Sequence, residues 1–148
     1  MEFFQRKQVG TMARYSLDQS NLILPLVKAI ARECVERRGQ HRQLIRLRGK
    51  LENSSTPEGL GQSLANLDAM IFEHSTAISQ STGELEALGL TILRQQPLTV
   101  HFPGRTRNSK VVFCWQEGEE SLCHGHAIGE EEEPRRPLKV RIVDTHKA

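Results

Sequence analysis

The chain has 148 residues, 37% hydrophobic and 5% aromatic, which suits a helical framework with a small attached sheet better than a deep globular core. A net charge of +2 excludes a global bias toward nucleic acid or anionic membrane. Three cysteines cannot complete a disulfide framework, no apolar run approaches the ~20 residues of a membrane span, and residues 1–10 lack a signal-peptide core, so a soluble cytoplasmic protein is expected.

Residues 1–14 read as a flexible segment, residues 15–143 as a single domain (helical hairpin 16–89, β unit 90–143) and residues 144–148 as a tail. Ser16 with Gln19 three residues later is a capping box, and Asp18 sits in the first turn. Pro25 interrupts the helical pattern. The expectation is a short helix over 17–24, a kink, and a long helix from Pro25 to about Lys50.

Two stretches carry a seven-residue repeat. The first runs Ile23, Val27, Ile30, Cys34, Arg37, His41, Leu44, Arg48 and Leu51; the second runs from Leu60 through Leu67, Ile71, His74, Ile78, Ser81 and Leu85 to Leu88. Such seams suit two helices packed side by side. Small polar residues with Pro57 and Gly59 lie between them, so the helices are antiparallel neighbours, each about 42 Å long. The second should begin near Pro57 and end at Leu88, with Gly89 as a left-handed cap.

Charge supports the same pairing. From Lys28 to Lys50 eight basic residues stand against Glu33 and Glu36, whereas Leu51 to Leu93 contains no Lys or Arg and six acids. Opposite signs disfavour wrong pairings, though an exposed contact contributes less than about 1 kcal/mol. The seam is polar at Arg37, expected to face His74, and at His41, expected to face Ile71. Either Arg37 carries its charge out to water, or a second hairpin packs here and makes a four-helix dimer.

After Gly89 the period becomes two. Short strands are expected over 90–93 and 98–102, a hairpin over 110–116 and 120–128, a solvated loop at Glu130 to Glu133, and a last strand through Leu138, Val140 and Ile142. The fold class is α+β: a long antiparallel, coiled-coil-like helical hairpin and then a small, mainly antiparallel β unit.

If Gly118-Glu119 is a two-residue turn, Cys114 faces Cys123, Phe113 faces His124 and Val111 faces His126. Alternation then puts Cys114 and Cys123 on one face and His124 and His126 on the other. A four-ligand zinc site is disfavoured because thiols and imidazoles diverge. Two options remain. His124 and His126, joined by His101 from the neighbouring strand, form a candidate transition-metal set; the alternative is two histidines flanking the aromatic core. Cys114 and Cys123 form a candidate redox pair; the alternative is two packed thiols. No nucleophile elbow, phosphate-cradling loop or HExxH is present, so the reading leans away from an enzyme.

Tyr15-Ser16-Leu17, Asn21 and Leu24-Pro25, then Leu88-Gly89, Phe102-Pro103, Cys114-Trp115, Gly118-Glu119, His126, Arg135 and Arg136-Pro137-Leu138, resemble in order and spacing a prokaryotic domain-of-unknown-function family, number two thousand two hundred and three. The resemblance spans about Tyr15 to Leu138. It implies a helical hairpin with a small β unit in a bacterial protein, and no activity. The family usually has Asp where this chain has His101, Trp at Gly125, and a Gly-aromatic turn at Glu130 to Glu133. A family site built on that Asp and His126 would therefore be altered here.

Three functions are compatible with these features. The first is a non-enzymatic scaffold that self-associates through the hairpin seam, as a homodimer or with another protein. The second is a metal- or small-ligand-binding site on the β unit. The third is nucleic-acid binding by Arg38, Arg42, Arg46 and Lys50, with Arg105 and Arg107.

Overall fold

A computed structural model describes residues 14–53 and 59–138. Two helices, α1 (Leu17–Glu52) and α2 (Leu60–Ala87), precede strands β1 (Thr91–Gln95), β2 (Leu98–Arg105), β3 (Lys110–Gln116), β4 (His124–Ala127) and β5 (Arg136–Pro137). The strands form one antiparallel sheet in sequence order. The chain divides into two compact units: Ala29–Glu84, and the residues up to Lys28 together with those from Leu85 onward.

The Ala29–Glu84 unit is a pair of antiparallel helices packed along the heptad seams. On both helices every seam position is buried or half-buried, with Cys34 fully buried and Leu67 nearly so. Arg37 and His74 meet as the repeat expects, with Arg37 Nη1 3.1 Å from His74 Nδ1 and Arg37 also paired to Glu33 at 2.7 Å. Arg48 joins Asp68 across the helices at 2.5 Å and Glu52 along its own helix at 2.8 Å. The expected start near Pro57 lies outside the described residues.

Pro25 corrects the expected break. Leu17–Glu52 is one continuous helix with Pro25 inside it. The proline is exposed while Leu24 and Val27 beside it are 2% and 0% exposed. A missing N–H costs one helical hydrogen bond, and burying the flanking apolar residues offsets it.

The ends obey local rules. Ser16 N–H donates to Gln19 Oε1 (2.8 Å) and Gln19 N–H to Ser16 Oγ (3.1 Å), completing the capping box. At the end of α2, Gly89 has φ +85°, Leu90 N–H reaches Leu85 O and Gly89 N–H reaches Glu86 O, the paired bonds of a Schellman cap.

In the second unit one face of the sheet carries Val100, Phe102, Phe113 and Trp115, all buried. Tyr15 meets Phe102 edge-on with ring centroids 6.0 Å apart and donates its hydroxyl to Leu88 O at 2.6 Å. Asn21 Oδ1 accepts Leu122 N–H at 3.0 Å. Tyr15 and Asn21, two residues of the family resemblance, thus fasten the start of α1 to the sheet. The last expected strand falls beyond Leu138, outside the described residues, and Arg136–Pro137 supplies a short fifth strand.

Candidate metal centre

The register of the β3–β4 pair differs by one residue from the expected one. Cys114 faces His124, Phe113 faces Gly125 and Val112 faces His126. Gly118 occupies the third place of a turn from Gln116 to Glu119, with φ +99° and Glu119 N–H bonded to Gln116 O at 3.0 Å, rather than the second place. That turn does not close a two-residue hairpin: residues 119–123 stay outside the ladder, and pairing resumes at His124 one residue out of the expected register. Trp115 Nε1 donates to Glu119 O, and Leu122 is drawn to Asn21.

A one-residue slip moves a strand's side chains to the opposite face. His124 and His126 therefore share the face of Cys114 instead of opposing it. On the other side of β3, His101 in β2 pairs directly with Cys114. The ligating atoms of His101, Cys114 and His126 all lie within 4.8 Å of one another. The two imidazoles stand 5.0 Å apart, centroid to centroid, at 50°.

Of the predicted metal set, His101 and His126 come together, and Cys114 takes the third place. His124 lies on the same face, but its Nδ1 turns toward Glu119 Oε2 at 3.7 Å. The predicted redox pair separates. Cys123 is exposed with its Sγ 3.1 Å from Ser121 Oγ, and the residue opposite Cys114 is His124. Sequence reasoning set Cys114 apart from the histidines because it assumed a two-residue hairpin at Gly118-Glu119, whereas residues 119–123 leave the ladder.

Among the described residues, His101 Nε2 and both ring nitrogens of His126 are buried without a hydrogen-bond partner. Buried polar nitrogens are normally satisfied, so three orphans on two facing rings require an explanation. Burial, with a smaller contribution from His126, pushes His101 down to about 4, and burial also lowers His126. Both rings are neutral near pH 7, the form that ligates metals. Burial raises the Cys114 thiol, a shift opposed by Arg135.

Arg135 links the motif residues. Its Nη1 donates to Glu119 Oε1 at 2.9 Å and its Nη2 makes a second, very short contact with Glu119 Oε2. The same Nη1 lies 3.4 Å from Cys114 O and 4.0 Å from Cys114 Sγ. Burial would raise Glu119, but the Arg135 guanidinium and the Gln116 N–H outweigh it and hold the carboxyl below its usual range. Glu119, Cys114, His126 and Arg135, all quoted in the resemblance, thus gather around one spot.

A cavity of about 380 Å³ opens beside the cluster, lined in part by Arg94, Thr99, Cys114, His126, Glu131 and Arg135. Glu131 accepts Gly129 N–H at 3.2 Å, and backbone N–H groups hold its carboxylate low. The loop at Glu130 to Glu133 is more than a solvated charge run, because Glu131 lines the cavity beside Cys114 and His126.

Two imidazoles and a thiol are a donor set for zinc, copper or another borderline transition metal, and three protein ligands leave one coordination position open. Elsewhere, Arg42, Arg46 and Lys50 are exposed along α1, as is Arg107, whereas Arg105 is tied to Arg14 O at 3.0 Å and Gln19 Oε1 at 3.3 Å. Among the described residues, no helix is long and apolar enough to cross a membrane.

A search of curated proteins and a search of solved structures found no match. The model of one family, described as "Uncharacterized conserved protein (DUF2203)", matches residues 14–138, which include both helices, all five strands and the whole of the cluster. The chain belongs to that family.

Proposed function

We propose that the protein binds a transition metal ion, zinc foremost, through His101, Cys114 and His126. One observation carries this reading: three donor atoms of metal-ligating type within 4.8 Å of one another, with His101 Nε2 and both His126 nitrogens buried and without a hydrogen-bond partner among the described residues. Neutral imidazoles are ready to coordinate. Cys114 would lose its proton on binding, the bound cation stabilising the thiolate against the burial that opposes it. Arg135, beside both the sulfur and the carbonyl of Cys114, positions that ligand from outside the coordination shell.

The test uses full-length protein purified without a histidine tag. Elemental analysis and competition against a chelator should give one metal per chain. Cys114→Ser and His126→Gln should abolish stoichiometric binding, while His124→Gln should retain it. Cobalt substitution should show a thiolate-to-metal charge-transfer band that Cys114→Ser lacks. A wild-type protein that takes up no zinc, copper, cobalt or nickel would end this reading.

A second reading, self-association of the helical unit, is supported by apolar side chains facing solvent on it, above all Phe72, which is 72% exposed, with Met70, Ile45 and Leu47. The polar seam residues Arg37 and His74 bond each other within the hairpin, so they give that reading no support. Light scattering on wild type and Phe72→Glu decides it: a monomeric wild type at high micromolar concentration removes it.

A further inference from the structure

Strand β1 contains a bulge between Ile92 and Arg94. Ile92 pairs with Val100, and the next pair is Arg94 with Thr99, so Leu93 is an extra residue. Bulges re-aim side chains and are enriched beside functional sites. Here the consequence is specific. Uninterrupted alternation would put Arg94 on the face of Ile92, with Val100, Phe102 and Trp115. The bulge puts it on the face of Thr99, His101 and Cys114 instead, where it lines the cavity beside Cys114 and His126.

Arg94 makes no hydrogen bond or ion pair to any described residue. Arg135, the other cation of the cavity wall, is already engaged by Glu119. Among the described residues, the cavity therefore holds one guanidinium free to receive a ligand, beside a cluster with one coordination position to fill.

We propose that this cavity binds a small monocarboxylate, one oxygen on the metal at the open position and the carboxylate held by Arg94. This rests on the metal reading of His101, Cys114 and His126. Arg binds carboxylates through paired N–H donors, which suits a ligand anchored at two points. The charge of the wall selects among anions. Glu131, Glu132 and Glu133 line the same cavity, so a dianion such as phosphate meets more repulsion than a singly charged carboxylate. Leu93 and Pro134 supply apolar wall for a short aliphatic tail. About 380 Å³ is enough for a small organic acid and lies at the lower end of ligand pockets.

The experiment is titration of the cobalt-loaded full-length protein with acetate, and separately with phosphate, at constant ionic strength, reading the visible spectrum. Acetate should perturb the wild-type spectrum saturably. Arg94→Met should keep the same cobalt stoichiometry and thiolate band but bind acetate about tenfold more weakly or worse, and Arg94→Lys should recover part of the loss. A loaded protein whose spectrum ignores acetate, or an Arg94→Met variant that binds acetate like wild type, overturns the proposal while leaving the metal reading intact. Phosphate binding more tightly than acetate overturns the choice of a monoanion. Failure to load cobalt or any other metal removes both readings together.

Discussion

Gly104→Ala tests the packing that sets β2 against β3, and with it the pairing of His101 with Cys114. Gly104 pairs with Val111 and is bridged on its other side by Tyr15, so its backbone is held from two directions. A methyl group there would lie 2.5, 2.6 and 2.9 Å from three carbons of the Phe113 ring. Ordinary contact begins near 3.4 Å, so the ring or the strand must move by almost 1 Å. Phe113 is 1% exposed and has no solvent to retreat into. Overpacking of this kind costs about 1–3 kcal/mol. At about 2–4 °C per kcal/mol for a chain near this size, melting should fall by about 2–12 °C. Urea denaturation monitored by circular dichroism gives the free energy. The single tryptophan, Trp115, lies two residues along β3 on the same face as Phe113, so its emission reports the local shift. Gly39→Ala is the internal control: it sits mid-helix with nothing within 4 Å of the added carbon, and should stabilise by up to about 1 kcal/mol. A Gly104→Ala protein as stable as wild type, with unchanged Trp115 emission, would refute this packing.

Leu85→Ala removes a side chain that is 0% exposed at the end of α2 and should cost about 2–5 kcal/mol in the same denaturation assay; a loss below about 1 kcal/mol would mean that the site is loosely packed. The metal-free protein should lose stability as pH falls. Burial holds folded His101 near 4 against 6.5 in the unfolded chain, so between those values the unfolded state binds the extra proton. The contribution is full above 6.5 and lost on the way down to about 4; at about 1.36 kcal/mol per pH unit it is bounded at about 3 kcal/mol. Chemical denaturation at intervals from about pH 7 to 4, with chelator present, should show this slope, and His101→Gln should flatten it; equal slopes in both proteins would exclude His101 as its source. Metal should also raise melting: zinc at about a hundredfold excess over Kd adds about 2.7 kcal/mol, an increment that Cys114→Ser should lack.

The helices were readable because their signals are local and repeated. A seam position recurs every seven residues, so a single polar member such as Arg37 does not obscure it, and its partner His74 follows from counting alone. The capping box at Ser16 and the cap at Gly89 depend only on residues three or four apart. β3 was likewise delimited, because Lys110 to Gln116 alternates between an aromatic and a mixed face.

The candidate site was half readable. His101 and His126 could be singled out as residue types in adjoining strands, but their partner could not. A tight hairpin at Gly118-Glu119 and a wider connection that leaves residues 119–123 unpaired satisfy the same string of residues, and they differ by one in register. Choosing between them needs Glu119 to be drawn to Arg135 and Leu122 to Asn21, contacts that span 16 and 101 residues. The bulge at Leu93 leaves no mark in composition. It becomes visible only when Val100 and Thr99 are matched to successive partners.

By itself the sequence determined the repeating and short-range features: two opposed helices of unlike charge, their caps, and the change to a two-residue period after Gly89. These arise from side-chain spacing and backbone preference within a few residues. The tertiary structure alone decided that α1 runs unbroken through Pro25, that Cys114 shares a face with two histidines, and that Arg94 joins that face. Each of those depends on burial or hydrogen bonding between segments far apart in the chain, where small differences in packing energy choose between arrangements that local chemistry permits equally.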